Sequence, residues 1–162
     1  MALHLVRCVR LARQEFRRAI EGMSEADLEK RVGGVNSIAW MAGHLAWQEQ
    51  AYWLTSRGME PIADLAPYKN GCEPCAPSFA ELFAAWEQVT AATDAWLDGL
   101  TEDDLRGHFP GRRFFEIENI GSLMMRVFGH YYVHVGQITA IRKILGYDVP
   151  GFVGSQEGAY FE

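Results

Sequence analysis

The sequence lacks the features that mark membrane-spanning and secreted proteins. No apolar run approaches the roughly 20 residues that cross a bilayer, because arginine, glutamate and glutamine interrupt every candidate stretch. The first residues carry charges from Arg7 onward and show no small-residue cleavage site, so a secretory signal is not expected. We therefore expect a cytoplasmic protein that does not act at a membrane.

The sequence is also short of positive charge. It has 15 lysines and arginines against 21 aspartates and glutamates, and its net charge is −6. Because binding to a phosphate backbone needs a clustered cationic surface, we do not expect a nucleic-acid partner. One basic cluster near the start of the chain lies mostly along one helical face, which is typical of a solvated stripe. Its members are Arg7, Arg10, Arg13, Arg17 and Arg18.

Cysteine is scarce as well, with three in 162 residues. Cys72 and Cys75 form a CxxC pair, and Cys8 lies alone in the first predicted helix. Without a second cysteine pair or a βαβ setting, a CxxC pair is neither a strong zinc motif nor a strong thioredoxin motif. We interpret Cys72 and Cys75 as reduced loop thiols, with a redox or second-metal role as the open alternative.

What the sequence does contain is helical periodicity. Its length and its 49% of hydrophobic residues favour a single globular domain over residues 1–162. Apolar residues recur at helical spacing in four long stretches, and short helical turns are predicted at 24–30 and after Thr101. The long helices are predicted at 3–21, at 37–57 with Asn36 or Ser37 as its cap, at 78–99 and at 119–145, with a long loop at 58–77.

The order of long helix, short turn and long helix occurs twice, and the sequence repeats with it. The segment 21–28, Glu-Gly-Met-Ser-Glu-Ala-Asp-Leu, matches the segment 98–105, Asp-Gly-Leu-Thr-Glu-Asp-Asp-Leu, almost position for position. Further on, Gly43-His44 in the second helix matches Gly129-His130 in the fourth. Two similar helix pairs predict an all-α fold, a four-helix bundle of up-down type with approximate internal two-fold symmetry.

Three histidines fall where such a bundle would bring its helices together. His130 and His134 lie one turn apart on the same face of the fourth helix. The repeat places His44 opposite them, so three imidazoles are predicted to face one another. Three imidazoles with one open position suit Zn²⁺ or a related divalent ion in a catalytic site. The alternative is that each histidine is a hydrogen-bonded core residue.

Other polar residues near the histidines are candidates for catalysis. Tyr131 stands where an HExxH zinc protease has its general-base glutamate, so the protease interpretation fails. Gln48 follows His44 by one turn, and Glu49 comes next. We predict that Gln48, Glu49 and Tyr131 orient ligands or transfer protons. A solvated position for Gln48 and Glu49 and core packing for Tyr131 are the alternatives.

Two helix segments around the histidines match a known family. The first reads Asn-Ser-Ile-Ala-Trp-Met-Ala-Gly-His-Leu at 36–45, and the second reads His-Tyr-Tyr-Val-His-Val-Gly-Gln-Ile at 130–138. Both resemble motifs of the DinB-like (YfiT-like) metalloenzymes, and the resemblance covers essentially the whole chain apart from the CxxC pair. It implies a four-helix bundle, often dimeric, with zinc or nickel on His44, His130 and His134.

The resemblance does not fix a reaction. Some relatives are transferases or isomerases that use a low-molecular-weight thiol such as bacillithiol or mycothiol. Our leading hypothesis is a metal-dependent transferase for a small-molecule substrate, in which the metal lowers the pKa of the thiol and the thiolate attacks an electrophile. A metal-dependent hydrolase and a non-catalytic metal-binding stress protein are the alternatives.

A homodimer is expected from the C-terminal tail and from the fourth helix. Its large side chains lie on more than one side, which is more than a single bundle core needs. They are Phe128, Tyr131, Tyr132 and Val135.

Overall fold

The structure, a computed structural model, describes residues 2–69, 78–110, 117–151 and 154–160. Cys72 and Cys75 lie outside the described residues, so the interpretation of this pair stays a prediction. Within the described ranges the regular structure is helical and contains no strand, which confirms the all-α prediction. The α-helices are α1 (His4–Ile20), α2 (Glu25–Glu29), α3 (Ile38–Trp53), α4 (Phe79–Asp98), α5 (Glu102–Arg106) and α6 (Ile120–Leu145).

Side-chain caps set where these helices begin. In each helix after α1, the N-cap side chain accepts a hydrogen bond from the backbone N–H three residues on, which satisfies one of the free donors of the first turn. The caps are Ser24, Ser37, Ser78, Thr101 and Asn119. The second long helix ends earlier than predicted, at Trp53. A 3₁₀ turn, Thr55–Arg57, carries the chain to Gly58, where φ is 76°.

The helix contacts follow the predicted repeat. The two most extensive contacts join α3 to α4 and α1 to α6, and α3 also touches α6. In the repeat, α1 corresponds to α4 and α3 corresponds to α6. The interface between α3 and α4 therefore corresponds to the interface between α6 and α1. The short helices agree, since α2 packs on α3 and α5 packs on α6. None of the described helices combines the length and hydropathy that a bilayer span requires.

A buried ion pair ties α1 to α3 inside the core. The Glu49 side chain is 0% exposed, and Arg13 donates to it from Nε at 2.8 Å and from Nη2 at 2.5 Å. Arg13 Nη1 also donates to Asp94 of α4 at 2.8 Å. Burial opposes the charge on Arg13, but the Glu49 carboxylate outweighs it and raises the pKa of Arg13. The prediction of a solvated arginine stripe is therefore wrong for Arg13, because the Glu49 carboxylate compensates its burial.

The same network reaches α6 through Tyr131. Its hydroxyl donates to Glu49 Oε1 at 2.8 Å and accepts from Trp86 Nε1 at 2.6 Å. Burial, followed by the neighbouring Glu49 carboxylate, raises the pKa of Tyr131 well above its usual value. The hydroxyl therefore stays protonated and acts as a donor. Residues from all four long helices thus take part in a single polar network in the core, which fixes α3 and α6 relative to each other.

Arg142 anchors the C-terminal end of α6. It is 7% exposed, and its Nη1 donates to the carbonyls of Ala19 at 3.0 Å and Glu21 at 2.8 Å. These carbonyls belong to the end of α1, where backbone acceptors lack helical partners. Arg142 Nε donates to the Asp148 carbonyl at 2.7 Å, so the same side chain also holds the segment that follows α6.

Removing the carboxylate of the buried pair should cost far more stability than removing a surface carboxylate. Glu49→Ala leaves the Arg13 charge buried and the Tyr131 hydroxyl without its acceptor, so we expect a loss of about 3 kcal/mol in the free energy of unfolding. The matched control is Glu87→Ala, which breaks the half-exposed Arg17–Glu87 pair and should cost under about 1 kcal/mol. Urea unfolding measures both, and equal losses would contradict the expectation.

Candidate metal centre

Two helices bring three histidines to one point. His44 lies on α3, while His130 and His134 lie one turn apart on α6. The Nε2 atom of His130 is 3.1 Å from Nε2 of His44 and 3.0 Å from Nε2 of His134. The predicted meeting of these three side chains is therefore found in the structure, and they are positioned to hold a metal ion.

The other ring nitrogen of each histidine faces an oxygen that can only accept a hydrogen bond. His44 Nδ1 donates to the Tyr68 carbonyl at 2.7 Å, His130 Nδ1 donates to Gln48 Oε1 at 2.7 Å, and His134 Nδ1 donates to Gln137 Oε1 at 2.8 Å. A neutral imidazole with its proton on Nδ1 has its lone pair on Nε2. Three lone pairs therefore converge within the cluster, and a cation is the group that such an arrangement suits.

The protonation state of the cluster supports the same conclusion. Burial lowers the pKa of His130 to about 4, with a further contribution from neighbouring His44. Burial and the two other rings lower the pKa of His134 to about 3. Burial also lowers the pKa of His44, although its hydrogen bond to the Tyr68 carbonyl opposes this. All three rings are therefore neutral near pH 7, which is the form of histidine that binds metals.

Two tryptophans hold His44 in place. The Trp40 ring stacks on it with centroids 4.7 Å apart and planes at 16°, and the Trp47 ring stacks with centroids 5.8 Å apart and planes at 12°. A ring between two aromatic faces, with Nδ1 bonded to a carbonyl, has little freedom to turn. Its Nε2 atom is therefore oriented before any ligand arrives.

The histidines open on one side to a cavity of about 320 Å³. Besides the three rings, its lining consists of Gly34, Val35, Asn36, Trp40, Val133 and Gln137. No carboxylate or thiol occurs in this lining, as far as the described residues show. The donor set is therefore three neutral nitrogens, which suits zinc and the later first-row divalent ions. With no anionic ligand, a bound divalent ion would keep its charge, and the cavity offers room for a further ligand.

The structure separates the three residues that we predicted to be catalytic. Gln48 belongs to the histidine cluster, because its amide oxygen accepts from His130. Glu49 and Tyr131 lie in the buried network with Arg13 and Trp86, and within the described ranges neither is hydrogen-bonded to the three histidines. A catalytic role for any of the three stays a prediction, and the contacts of Gln48 favour a role in orienting His130.

Sequence reasoning missed one partner of the cluster, the backbone carbonyl of Tyr68. This carbonyl belongs to a 3₁₀ turn, Ala66–Tyr68, inside the long loop after α3. Every residue type has a backbone carbonyl, so no side-chain pattern could have indicated it.

Comparison with known proteins agrees with the fold and with the cluster. The family model described as DinB superfamily matches residues 9–138, which include all three histidines. The chain belongs to the DinB superfamily. Six solved chains match this DinB superfamily protein. One of them is described as the conserved protein of locus from Enterococcus faecalis, with a TM-score of 0.65, 14% identity, and coverage of 90% of this chain and 99% of that one. At this identity the likeness concerns the fold alone, and no curated protein matches the chain.

The lowered histidine pKa values predict how the stability of this DinB superfamily protein depends on pH when it is free of metal. In the unfolded chain a histidine has a pKa of about 6.5, whereas in the folded protein His130 titrates at about 4 and His134 at about 3. Below pH 6.5 the unfolded chain therefore binds more protons, and the free energy of unfolding should fall as the pH is lowered towards 4.

Urea unfolding of the metal-free protein at several pH values between 7 and 4.5 measures this slope. His134→Asn should reduce it, by up to about 1.4 kcal/mol per pH unit. His108→Asn, at an exposed histidine, is the matched control and should leave it unchanged. A wild-type slope that His134→Asn does not alter would show that His134 titrates normally.

Proposed function

We propose that the protein is a metal-dependent transferase that uses a low-molecular-weight thiol of the bacillithiol or mycothiol type. Zinc or nickel would be held by His44, His130 and His134. The observation that carries the proposal is the convergence of three Nε2 lone pairs beside an open cavity, with every Nδ1 proton already bonded to an oxygen. A cytoplasmic location fits the proposal, because that compartment keeps thiols reduced.

The chemistry follows from the charge of the cluster. A divalent ion on three neutral nitrogens supplies the positive charge that lowers the pKa of a thiol. In the transfer step the thiol loses its proton to the solvent, and its sulfur forms a bond to an electrophilic carbon of the substrate. The bond from that carbon to its leaving group breaks, and the leaving group departs with the electron pair. Val35 and Val133 offer apolar contact to the substrate, and Asn36 and Gln137 offer amide groups.

The lining of the cavity favours transfer over hydrolysis. Many metal-dependent hydrolases use a glutamate or aspartate that accepts a proton from the attacking water. Among the described residues no carboxylate lines the cavity, and the Glu49 carboxylate is hydrogen-bonded to Arg13 and Tyr131. A thiol is a stronger acid than water, so with the help of a metal ion alone it would lose its proton more readily than water does.

We also propose a homodimer, with an interface that contains fewer of the α6 side chains than the sequence suggested. Tyr131 is 0% exposed and belongs to the buried network, so it cannot contribute to an interface. Phe128 and Tyr132 stay partly exposed, with their ring centroids 4.9 Å apart. Light scattering that shows a monomer at micromolar concentration would contradict this proposal.

Metal content and thiol consumption test the proposed function directly. We expect the wild-type protein to bind one equivalent of zinc or nickel and, when loaded, to consume a low-molecular-weight thiol in the presence of an electrophile. His130→Ala should lose the metal and the turnover together, because it removes the nitrogen that lies between the two others. The control His108→Ala removes an exposed histidine and should change neither property.

The outcomes separate the alternatives. Wild-type metal content in His130→Ala would overturn the metal centre itself. Metal binding that raises thermal stability, without turnover of any thiol and electrophile tested, would instead indicate a metal-binding protein without catalysis.

A further inference from the structure

One glycine on α3 is in contact with an aromatic ring from the loop. A Cβ atom built on Gly43 would lie 2.8 Å from Cγ of Tyr68, 3.0 Å from Cδ1 of the same ring, and 3.0 Å from Cδ1 of Leu82. The first of these distances is shorter than Cβ contacts in proteins. Gly43 is helical and its backbone could be adopted by any residue. Only the absence of a side chain lets the Tyr68 ring approach α3 this closely.

Tyr68 is also the residue whose carbonyl holds His44. The ring lies against Gly43, while the backbone oxygen accepts from Nδ1 of His44, the next residue of α3, at 2.7 Å. The two contacts therefore act on neighbouring positions of one helix. A ring displaced by a larger residue at position 43 would move the turn, and with it the Tyr68 carbonyl that accepts from His44 Nδ1.

The loop before Tyr68 is attached to α3 at a second point. Gln50 Oε1 accepts from the backbone N–H groups of Ile62 at 2.7 Å and Ala63 at 3.1 Å, and its Nε2 donates to the Ala63 carbonyl at 2.9 Å. Leu65, between this attachment and the turn, is 2% exposed. The segment 62–68 is thus held against α3 by Gln50 at one point and by the fit over Gly43 at another.

We infer that Gly43 is a positioning residue of the metal centre: the close fit of Tyr68 over Gly43 sets the carbonyl that orients His44 towards His130 and His134. The inference rests on the proposed metal-binding function. It also explains an asymmetry of the repeat. Gly129, which precedes His130 as Gly43 precedes His44, has nothing within 4 Å of its hypothetical Cβ, and His130 takes its acceptor from a side chain, Gln48.

The repeat supplies a matched control for the test. Gly43→Ala and Gly129→Ala make the same change, each one residue before a histidine of the cluster, but only the first meets another residue. We expect Gly43→Ala to weaken zinc binding by about 10- to 100-fold, as the loss of an outer hydrogen-bond partner of a metal ligand typically does. Gly129→Ala should keep the wild-type affinity. Calorimetric titration of metal-free protein with zinc measures both.

Tyr68→Ala removes the other partner of the contact and leaves Gly43 unchanged. It replaces Gly43→Ala in the test if that variant does not fold. We expect it to weaken zinc binding as well, because the turn loses its contact with α3 while the carbonyl remains. In the double variant, Gly43→Ala should weaken binding less than it does alone, since the ring it displaces is absent. Urea unfolding of the metal-free variants separates this effect from a general loss of stability, because zinc affinity should fall even where the variant is fully folded.

The result that overturns the inference is wild-type zinc affinity in Gly43→Ala or in Tyr68→Ala. Independent effects of the two substitutions in the double variant would overturn it too. Failure of the wild-type protein to bind zinc or nickel is a different result, because it contradicts the proposed function before any variant is compared.

Discussion

The site depends on one constraint, which is that each of three neighbouring imidazoles has its Nδ1 proton bonded to an oxygen. This arrangement leaves the Nε2 atoms of all three rings without protons. Nε2 of His130 lies within 3.1 Å of Nε2 of His44 and of His134. In isolation, three converging lone pairs repel one another. The cluster is held together by the surrounding structure: the stacked tryptophans around His44, the helical spacing of His130 and His134, and the contacts that fix α3 against α6. These contacts therefore maintain an arrangement of the three histidines that suits a cation.

The polar residues of α3 and α6 divide into two networks according to helical position. Adjacent residues on a helix point about 100° apart, so neighbours in sequence reach different surroundings. Gln48 bonds to His130 in the cluster, while Glu49 pairs with Arg13 in the core. On α6, His130 faces the cavity and the next residue, Tyr131, is buried against Glu49. One network offers lone pairs to a ligand, and the other joins the helices that carry them.

Much of this could be predicted from the sequence, because helical periods and repeated segments are local signals. The caps at Ser24, Ser78 and Thr101 and the end of α6 at Gly146 follow from residue types at fixed spacing. The repeat placed His44 opposite His130, and the structure brings them together. The features that the sequence did not predict depend on contacts between segments that are far apart in the chain. Arg13 was expected in solvent because its partner Glu49 is 36 residues away. The Tyr68 carbonyl and its fit over Gly43 could not be read from side-chain patterns either.

The tautomers of the three histidines in the zinc-loaded protein are the sharpest test of the metal centre. Long-range ¹H–¹⁵N correlation spectra distinguish a protonated ring nitrogen from one that is bound to a metal. We expect that His44, His130 and His134 each keep a proton on Nδ1 and that their three Nε2 signals all shift together on addition of one equivalent of zinc. A proton found on Nε2 of any of the three, or zinc bound through Nδ1, would contradict it.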